Sequence, residues 1–225
     1  MSTPLLLPIY AFRHGQTDWN KEGRIQGHLD VPLNEKGRAE GTHLAHALRR
    51  VRVHMILSSD LSRAVDTAKL SLSEAMRKGW HSEVPIITDS RLREVHLGKL
   101  QGLTRDEIQD RFGATLSHQI GAKLLSDEDL RDLGSEPTED LLHRLLSSIE
   151  EVSQRAELST PGSALAISTH GGVLRRLLHA AAGIDEIRFS IPNAAFFPFL
   201  YDRATKRLHY PDFVQFTAFE EKRRV

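Results

Sequence analysis

Residues Ile9 to Gly27 read IYAFRHGQTDWNKEGRIQG. A short apolar run ends in Arg13-His14-Gly15. Side chains able to touch a phosphate follow at Gln16, Thr17, Asn20, Arg24 and Gln26. A strand that stops at a basic dipeptide and turns on a glycine delivers side chains to the carboxyl edge of a sheet, where open α/β sheets bind ligands. The stretch therefore reads as an anion pocket with a histidine at its floor. The tripeptide alone is a weak signal, so its weight depends on partners further along the chain.

Those partners recur at strand ends. His54 to Leu57 reads as a short strand ending at Ser58-Ser59-Asp60. Leu61, Ala64, Val65, Ala68, Leu72 and Met76 then recur at helical spacing. Arg63 falls in the first turn of that helix, where the helix dipole disfavours a cation. Either it faces a bound anion together with the strand end, or it is an ordinary surface arginine. Ala164 to Ser168 is another apolar strand, ending in Thr169-His170-Gly171-Gly172 with a helix starting at Val173-Leu174. This is a second strand, His-Gly, helix junction like the first. Ile86-Ile87 predicts a third strand, and Glu94 lies where the chain leaves it. A partly buried carboxyl group there suits a general acid; the plainer alternative is an ion pair with Arg91 or Arg93.

Between these blocks, Asn34 reads as the N-cap of a helix to about Arg50, with Ala39, Leu44, Ala47 and Leu48 as its apolar stripe. Gly37 and Gly41 weaken that helix alone and imply close backbone approach. Thr104 to Phe112 resembles a short capped helix. Residues 113 to 135 are the least periodic and read as a variable, mobile cover. Pro137 introduces an amphipathic helix through Leu141, Leu145, Ile149 and Val152. Ile187 to Ser190, Ala195 to Tyr201 and Arg207 to Tyr210 read as strands, and Glu220 to Val225 as a solvated tail. Alternating strands and helices with no linker predict one domain over 1–225, a three-layer α/β/α sandwich on a mainly parallel central sheet.

Composition excludes several classes. Thirty basic residues balance thirty acidic ones, which argues against a nucleic-acid or acidic-membrane binder. No cysteine is present, so thiolate nucleophiles, disulfides and Cys-ligated zinc are out. No segment reaches the roughly 20 apolar residues of a membrane span. The opening MSTPLLLPIY is too short and too proline-rich for a signal peptide, so a cytoplasmic protein is expected. Twelve histidines invite metal, but none forms a helical pair with a nearby acidic third ligand. His43 with His46 reads as a surface pair, and no metal or cofactor is expected.

Together the blocks resemble the histidine phosphatase superfamily, the phosphoglycerate mutase-like proteins. The resemblance rests on Arg13-His14-Gly15 with Thr17 and Asn20, and on Gly23 to Gly27 with Asp30-Val31-Pro32-Leu33. It continues through Ser58 to Ala64 with Thr67-Ala68, Leu92-Arg93-Glu94 with Gln101-Gly102, and Thr169 to Gly172. It runs in family order from about residue 8 to 200. It implies His14 as a nucleophile that becomes phosphohistidine, with its other ring nitrogen held as N–H by a backbone carbonyl. It further implies Arg13, Arg63 and His170 around the phosphoryl oxygens, and Asn20, Gln26 and the Gly171 N–H as further phosphate contacts. Glu94 is implied as the proton donor, and Gly27 and Arg105 as possible substrate contacts.

The family holds mutases and phosphatases. Ile25-Gln26-Gly27-His28 departs from the threonine-glycine-tryptophan pattern of glycolytic mutases. Ala114 to Leu133 offers only Lys123 and Arg131 where they carry an adjacent arginine pair. Glu94-Val95-His96 with Leu100-Gln101-Gly102 is nearer the mutase spelling, and Arg105 could stand for a substrate-binding lysine. The expectation is a phosphatase of small-molecule phosphomonoesters, with a phosphoglycerate mutase second. A silent phospho-ligand or protein binder comes third, since every expected catalytic position is filled. Oligomeric state is left open.

Overall fold

The computed structural model describes residues 6–122, 127–182 and 190–211. The first strand, β1 (Leu6–Arg13), alternates its side chains between two cores. Leu7, Ile9 and Ala11 enter one, and Phe12 with Tyr10 faces the other. The chain then runs through α1 (Asp18–Glu22), α2 (Glu35–His43), α3 (Ala45–Leu48) and β2 (Val53–Ser58). Next come α4 (Ser62–Arg77) and β3 (Ile86–Thr88). The expected capped helix follows as α5 (Arg105–Phe112), and the expected cover as α6 (Ala114–Ala122) and α7 (Asp127–Asp132). The chain closes through α8 (Thr138–Ser153), β4 (Ala164–Thr169), α9 (Gly171–Ala182), β5 (Phe196–Asp202) and β6 (Arg207–His209).

Among the described residues the strands form one sheet in the order β3-β2-β4-β1-β5-β6. The first four are parallel; β5 runs antiparallel to β1, and β6 to β5. Every residue of β4 is buried, as befits a parallel strand covered on both faces. One face packs on α8 and α9 through Leu141, Leu145, Leu174 and Leu177. The other packs on α2 to α4 through Leu44, Leu48, Ala68 and Leu72. The mainly parallel α/β architecture expected from the sequence is what is found.

Several local readings change. The helix expected from Asn34 to Arg50 is divided at Leu44 into α2 and α3. From there i−3 backbone bonds, as in Ala47 N–H to the Leu44 carbonyl, mix with i−4 bonds such as Arg49 N–H to the Ala45 carbonyl. Asn34 does cap it, accepting from the Gly37 N–H at 2.9 Å. Residues 113 to 135, read as aperiodic, carry α6 and α7. The helix expected at Val173 begins two residues earlier, at Gly171. The strand expected at Ile187 to Ser190 lies, but for Ser190, outside the described residues, as does the charged tail.

The parallel register decides where the chemistry sits. Arg13 is level with Thr169, and Ser58 with Ser168. The His14 N–H donates to the Thr169 carbonyl at 3.0 Å, and the Ser59 N–H to the Ser168 carbonyl at 2.9 Å. Three strand ends thus place His14, Ser59 and His170 side by side at the carboxyl edge. The turn after His14 is held by backbone contact with α2. A Cβ on Gly37 would stand 2.0 Å from the Gln16 carbonyl oxygen, and one on Gly15 2.2 Å from that of Gly37. The close approach implied by Gly37 is therefore real. Gly37→Ala should force this turn apart and destabilise the protein by about 1–3 kcal/mol or more. Urea unfolding checks this, and a midpoint equal to that of the native protein would contradict it.

Candidate active site

His14 is buried at the end of β1. Its Nδ1 lies 2.6 Å from the carbonyl oxygen of Gly15. A carbonyl can only accept, so Nδ1 carries the hydrogen and Nε2 keeps its lone pair. Burial, reinforced by the positive charges of Arg63 and Arg13, holds the His14 pKa well below that of an ordinary histidine. The ring is thus neutral, with a fixed tautomer and a free nucleophilic nitrogen. The Asn193 Nδ2–H donates to the His14 carbonyl at 3.1 Å and fixes the backbone from the other side.

Arg63 is fully buried, so it is no surface arginine. Its Nη1 donates to the Leu29 carbonyl and its Nη2 to the Gly27 carbonyl, both at 2.8 Å. The loop containing Gln26 and Gly27 therefore acts by gripping this guanidinium. Asp30 accepts from the Ser62 N–H at 2.9 Å and supplies the negative charge that the start of α4 otherwise lacks. Burial pulls the Arg63 pKa down to about 10, opposed by Glu94 and Asp30, so it stays charged at neutral pH. Arg13 is likewise lowered by burial and supported by Glu94; its Nη1 donates to the Ile191 carbonyl.

His170 is buried edge-on to His14, with ring centroids 5.2 Å apart and planes inclined at 60°. Its Nε2 is 2.9 Å from Ser59 Oγ. Burial and the neighbouring Arg63 drive its pKa far below the ordinary value. Glu94 pairs with neither Arg91 nor Arg93. Arg91 is taken by Asp89 and Glu151, and Arg93 by Asp60. Glu94 Oε1 instead accepts from the N–H groups of Val95 and Val173 at 2.9 and 3.1 Å, and Oε2 from that of Gly172 at 3.0 Å. The carboxyl group caps the start of α9. Glycine at 172 leaves room for it, since a Cβ there would lie 2.5 Å from Glu94 Oε1.

The Nε atoms of Arg13 and Arg63 and Nδ1 of His170 are buried with no hydrogen-bond partner among the described residues; so is Gln26 Oε1. Unpaired buried polar atoms are expensive, and the two guanidinium Nε–H groups can only donate. Two cations, the N–H of Gly171 at the first position of α9 and a neutral histidine form a set that a tetrahedral oxyanion would satisfy. Asn20 joins them through Asn193. Its Oδ1 accepts from the Thr17 N–H and from Asn193 Nδ2, which turns its own NH₂ group outward as a donor. Arg105 is the exception among the expected contacts: it is exposed in the first turn of α5. No hydrogen bond or ion pair links its side chain to the cluster among the described residues. His43 and His46 are exposed, with ring centroids 5.0 Å apart and planes inclined at 38°, and His46 meets Trp80 edge-on. Among the described residues no three metal-ligating side chains converge, and no helix is long and apolar enough to cross a membrane.

Ser59, Asn193, Arg144 and Arg175 were not singled out in the sequence. Ser59 could have been found, because it follows the aligned strand end. Arg175, half-buried on α9 and electrostatically coupled to Glu94 and Arg13, had no such signal.

The chain belongs to the histidine phosphatase superfamily, branch 1, whose sequence model matches residues 9–211. It is 35% identical over 181 residues to glucosyl-3-phosphoglycerate phosphatase of Mycolicibacterium vanbaalenii, covering 78% of this chain and 74% of that one. It is also 35% identical over 171 residues to 2,3-bisphosphoglycerate-dependent phosphoglycerate mutase 2 of Gloeobacter violaceus, covering 76% and 73%. The solved mycobacterial glucosyl-3-phosphoglycerate phosphatase with VO3 superposes with a TM-score of 0.66 at 32% identity, over 86% of this chain and 92% of that one.

Both buried histidines are neutral when folded and would titrate near 6.5 when unfolded. Below that pH the unfolded chain binds more protons. Each histidine's share of stability is therefore full above about 6.5 and falls as pH drops, by up to about 1.4 kcal/mol per pH unit. His170→Gln, which cannot titrate, should flatten the fall of the urea midpoint between about pH 7 and pH 5. A slope as steep as the native protein's would refute this.

Proposed function

We propose that the protein is a phosphatase that hydrolyses small-molecule phosphomonoesters through a phosphohistidine on His14. The observation that carries this reading is the Gly15 carbonyl on His14 Nδ1, which aims a neutral Nε2 into a cluster of buried cations. In the first step the Nε2 lone pair attacks phosphorus as the ester P–O bond breaks, and Glu94 gives its proton to the departing alkoxide. In the second, water attacks phosphorus, Glu94 takes its proton, and the P–N bond breaks with its electron pair returning to Nε2. Phosphoryl transfer has a loose transition state, so catalysis is mainly positioning and charge stabilisation. Arg13, Arg63 and His170 surround the non-bridging oxygens, with Asn20, Gln26 and the Gly171 N–H as further donors or contacts. No step calls for a metal or an organic cofactor.

Hydrolysis is preferred over mutase chemistry because the substrate side is poor in clamps. Arg131, one of the two cations in the cover segment, is exposed on α7, and Arg105 stands off the cluster. Partners are then small phosphorylated molecules rather than nucleic acid or membrane, in a cytoplasmic setting. A phosphoglycerate mutase is the second reading, favoured by the relative of that name at the same 35% identity.

Hydrolysis of an aryl phosphate should persist with a chelator present and vanish in His14→Ala, while rapid quenching of the native protein traps an acid-labile phosphoryl group. Glu94→Gln should spare kcat/KM for aryl phosphates, which reports only transfer to His14, and lower kcat/KM for alkyl phosphates by roughly 10²–10⁴-fold, the usual share of a general acid; kcat falls on both through the shared hydrolysis step. Loss of activity on chelation, or activity surviving in His14→Ala, would sink the reading. Transfer between phosphoglycerates without hydrolysis would install the mutase instead.

A further inference from the structure

The loop that carries Glu94 has little regular structure of its own. After β3 it makes one 3₁₀ turn, Ser90–Leu92, and then runs irregularly to Gly98. Its carbonyls need donors from elsewhere, and one side chain on α8 supplies most of them. Arg144 Nη1 donates to the carbonyls of Arg91 and Arg93, and Nη2 to that of Glu94 at 3.0 Å. The other edge of the same guanidinium is held by Glu136, Nε on Oε1 and Nη2 on Oε2. Both side chains are largely buried, at 17% and 15% exposed. Glu136 also reaches the far end of the loop. Its N–H donates to the His96 carbonyl at 2.8 Å, and the His96 N–H donates to its Oε2 at 3.3 Å.

We propose that Arg144, oriented by Glu136, is a positioning residue for proton transfer: it fixes the backbone of Glu94 so that the carboxyl group stays at the start of α9. This rests on the reading of Glu94 as the proton donor. Arg144 makes no contact with His14, Arg13, Arg63 or His170 among the described residues; it acts through Glu94 alone. Three carbonyls of one loop and a bidentate carboxylate fill a planar fork of five N–H donors. A lysine, a point charge with three rotatable donors, cannot span them. The Glu94 carbonyl has one other side-chain partner, His28, whose Nε2 lies 2.7 Å away. With Arg144 changed, that single contact would hold the carbonyl.

The test compares native protein, Arg144→Lys, Glu94→Gln and the double variant on two substrates, an aryl phosphate with a good leaving group and glycerol phosphate with a poor one. Arg144→Lys should lower kcat/KM on glycerol phosphate about ten- to hundredfold and leave kcat/KM on the aryl phosphate, which reports only transfer to His14, within about threefold. The double variant should be no slower than Glu94→Gln alone on glycerol phosphate, because both changes remove one function. Equal losses on both substrates, or losses that multiply in the double variant, would overturn the proposal and leave Arg144 a stability residue. Glu136→Gln, which keeps the shape and loses the charge, should show the same leaving-group selectivity at smaller size if Arg144→Lys does not fold. Should the native protein hydrolyse neither substrate, the phosphatase reading fails separately. Amide exchange then decides this proposal: Arg144→Lys should speed exchange at Gly172 and Val173, whose N–H groups Glu94 holds, and unchanged rates there would overturn it.

Discussion

The register of three parallel strands is the constraint on which the site depends. Arg13 level with Thr169, and Ser58 level with Ser168, bring three chain reversals to one edge of the sheet. A slip of one residue would turn every side chain of a strand to the opposite face. It would carry His14 or His170 out of the cluster together with the core residues behind it. Core and site are therefore specified by the same alternation. Ile9 and Ala11 lock β1 into one core and Phe12 into the other, and the next two residues have only one place to go.

What gathers at that edge is electrostatically uncomfortable. A buried guanidinium, a partly buried one and two buried histidines lie together, and each cation disfavours protonation of the rings. The fold meets this with dipoles and a few carboxylates. Arg63 is held by two carbonyls and Arg13 by one, while Glu94 supports both charges from the start of α9. The rings stay neutral, the state that the proposed nucleophile requires. Among the described residues, the Nε atoms of Arg13, Arg63 and the neighbouring Arg175 find no hydrogen-bond partner within the protein. An oxyanion completes the arrangement rather than disturbing it.

Much of this was legible in the sequence, and for a definite reason. Strands that end in Arg-His-Gly and Thr-His-Gly-Gly announce both the sheet and the residues at its edge. Glycines at 15 and 37 mark a backbone approach that only glycine allows. Short-range signals also fixed the caps, as at Asn34 and Thr104. What stayed hidden depends on contacts between distant segments. Whether Arg63 faced water or the interior could not be read from its helix position. The partner of Glu94 was misjudged by proximity: Arg91 and Arg93 are adjacent in sequence, yet α9 is adjacent in space. Arg144 gave no signal at all, because an arginine on the amphipathic helix after Pro137 looks like any polar residue between apolar ones. Its role exists only once α8 lies against the loop.

On the proposed mechanism, proton transfer and phosphoryl transfer are supported by different parts of the molecule. The phosphoryl side is built into strand ends and a helix start, rigid elements that hold reacting groups to fractions of an ångström. The proton side hangs on an irregular loop that would have no fixed shape without Arg144 and Glu136. The division suits a carboxyl group with two opposite tasks, giving a proton to an alkoxide and taking one from water. On the proposed mechanism a phosphorylated His14 would serve hydrolysis or transfer to a second substrate molecule. The outcome is set by whether water or an alcohol reaches phosphorus beside Glu94. On that reading the choice falls to side chains above the sheet edge, and Arg105 and Arg131, cations expected to hold a second acidic group there, are both exposed.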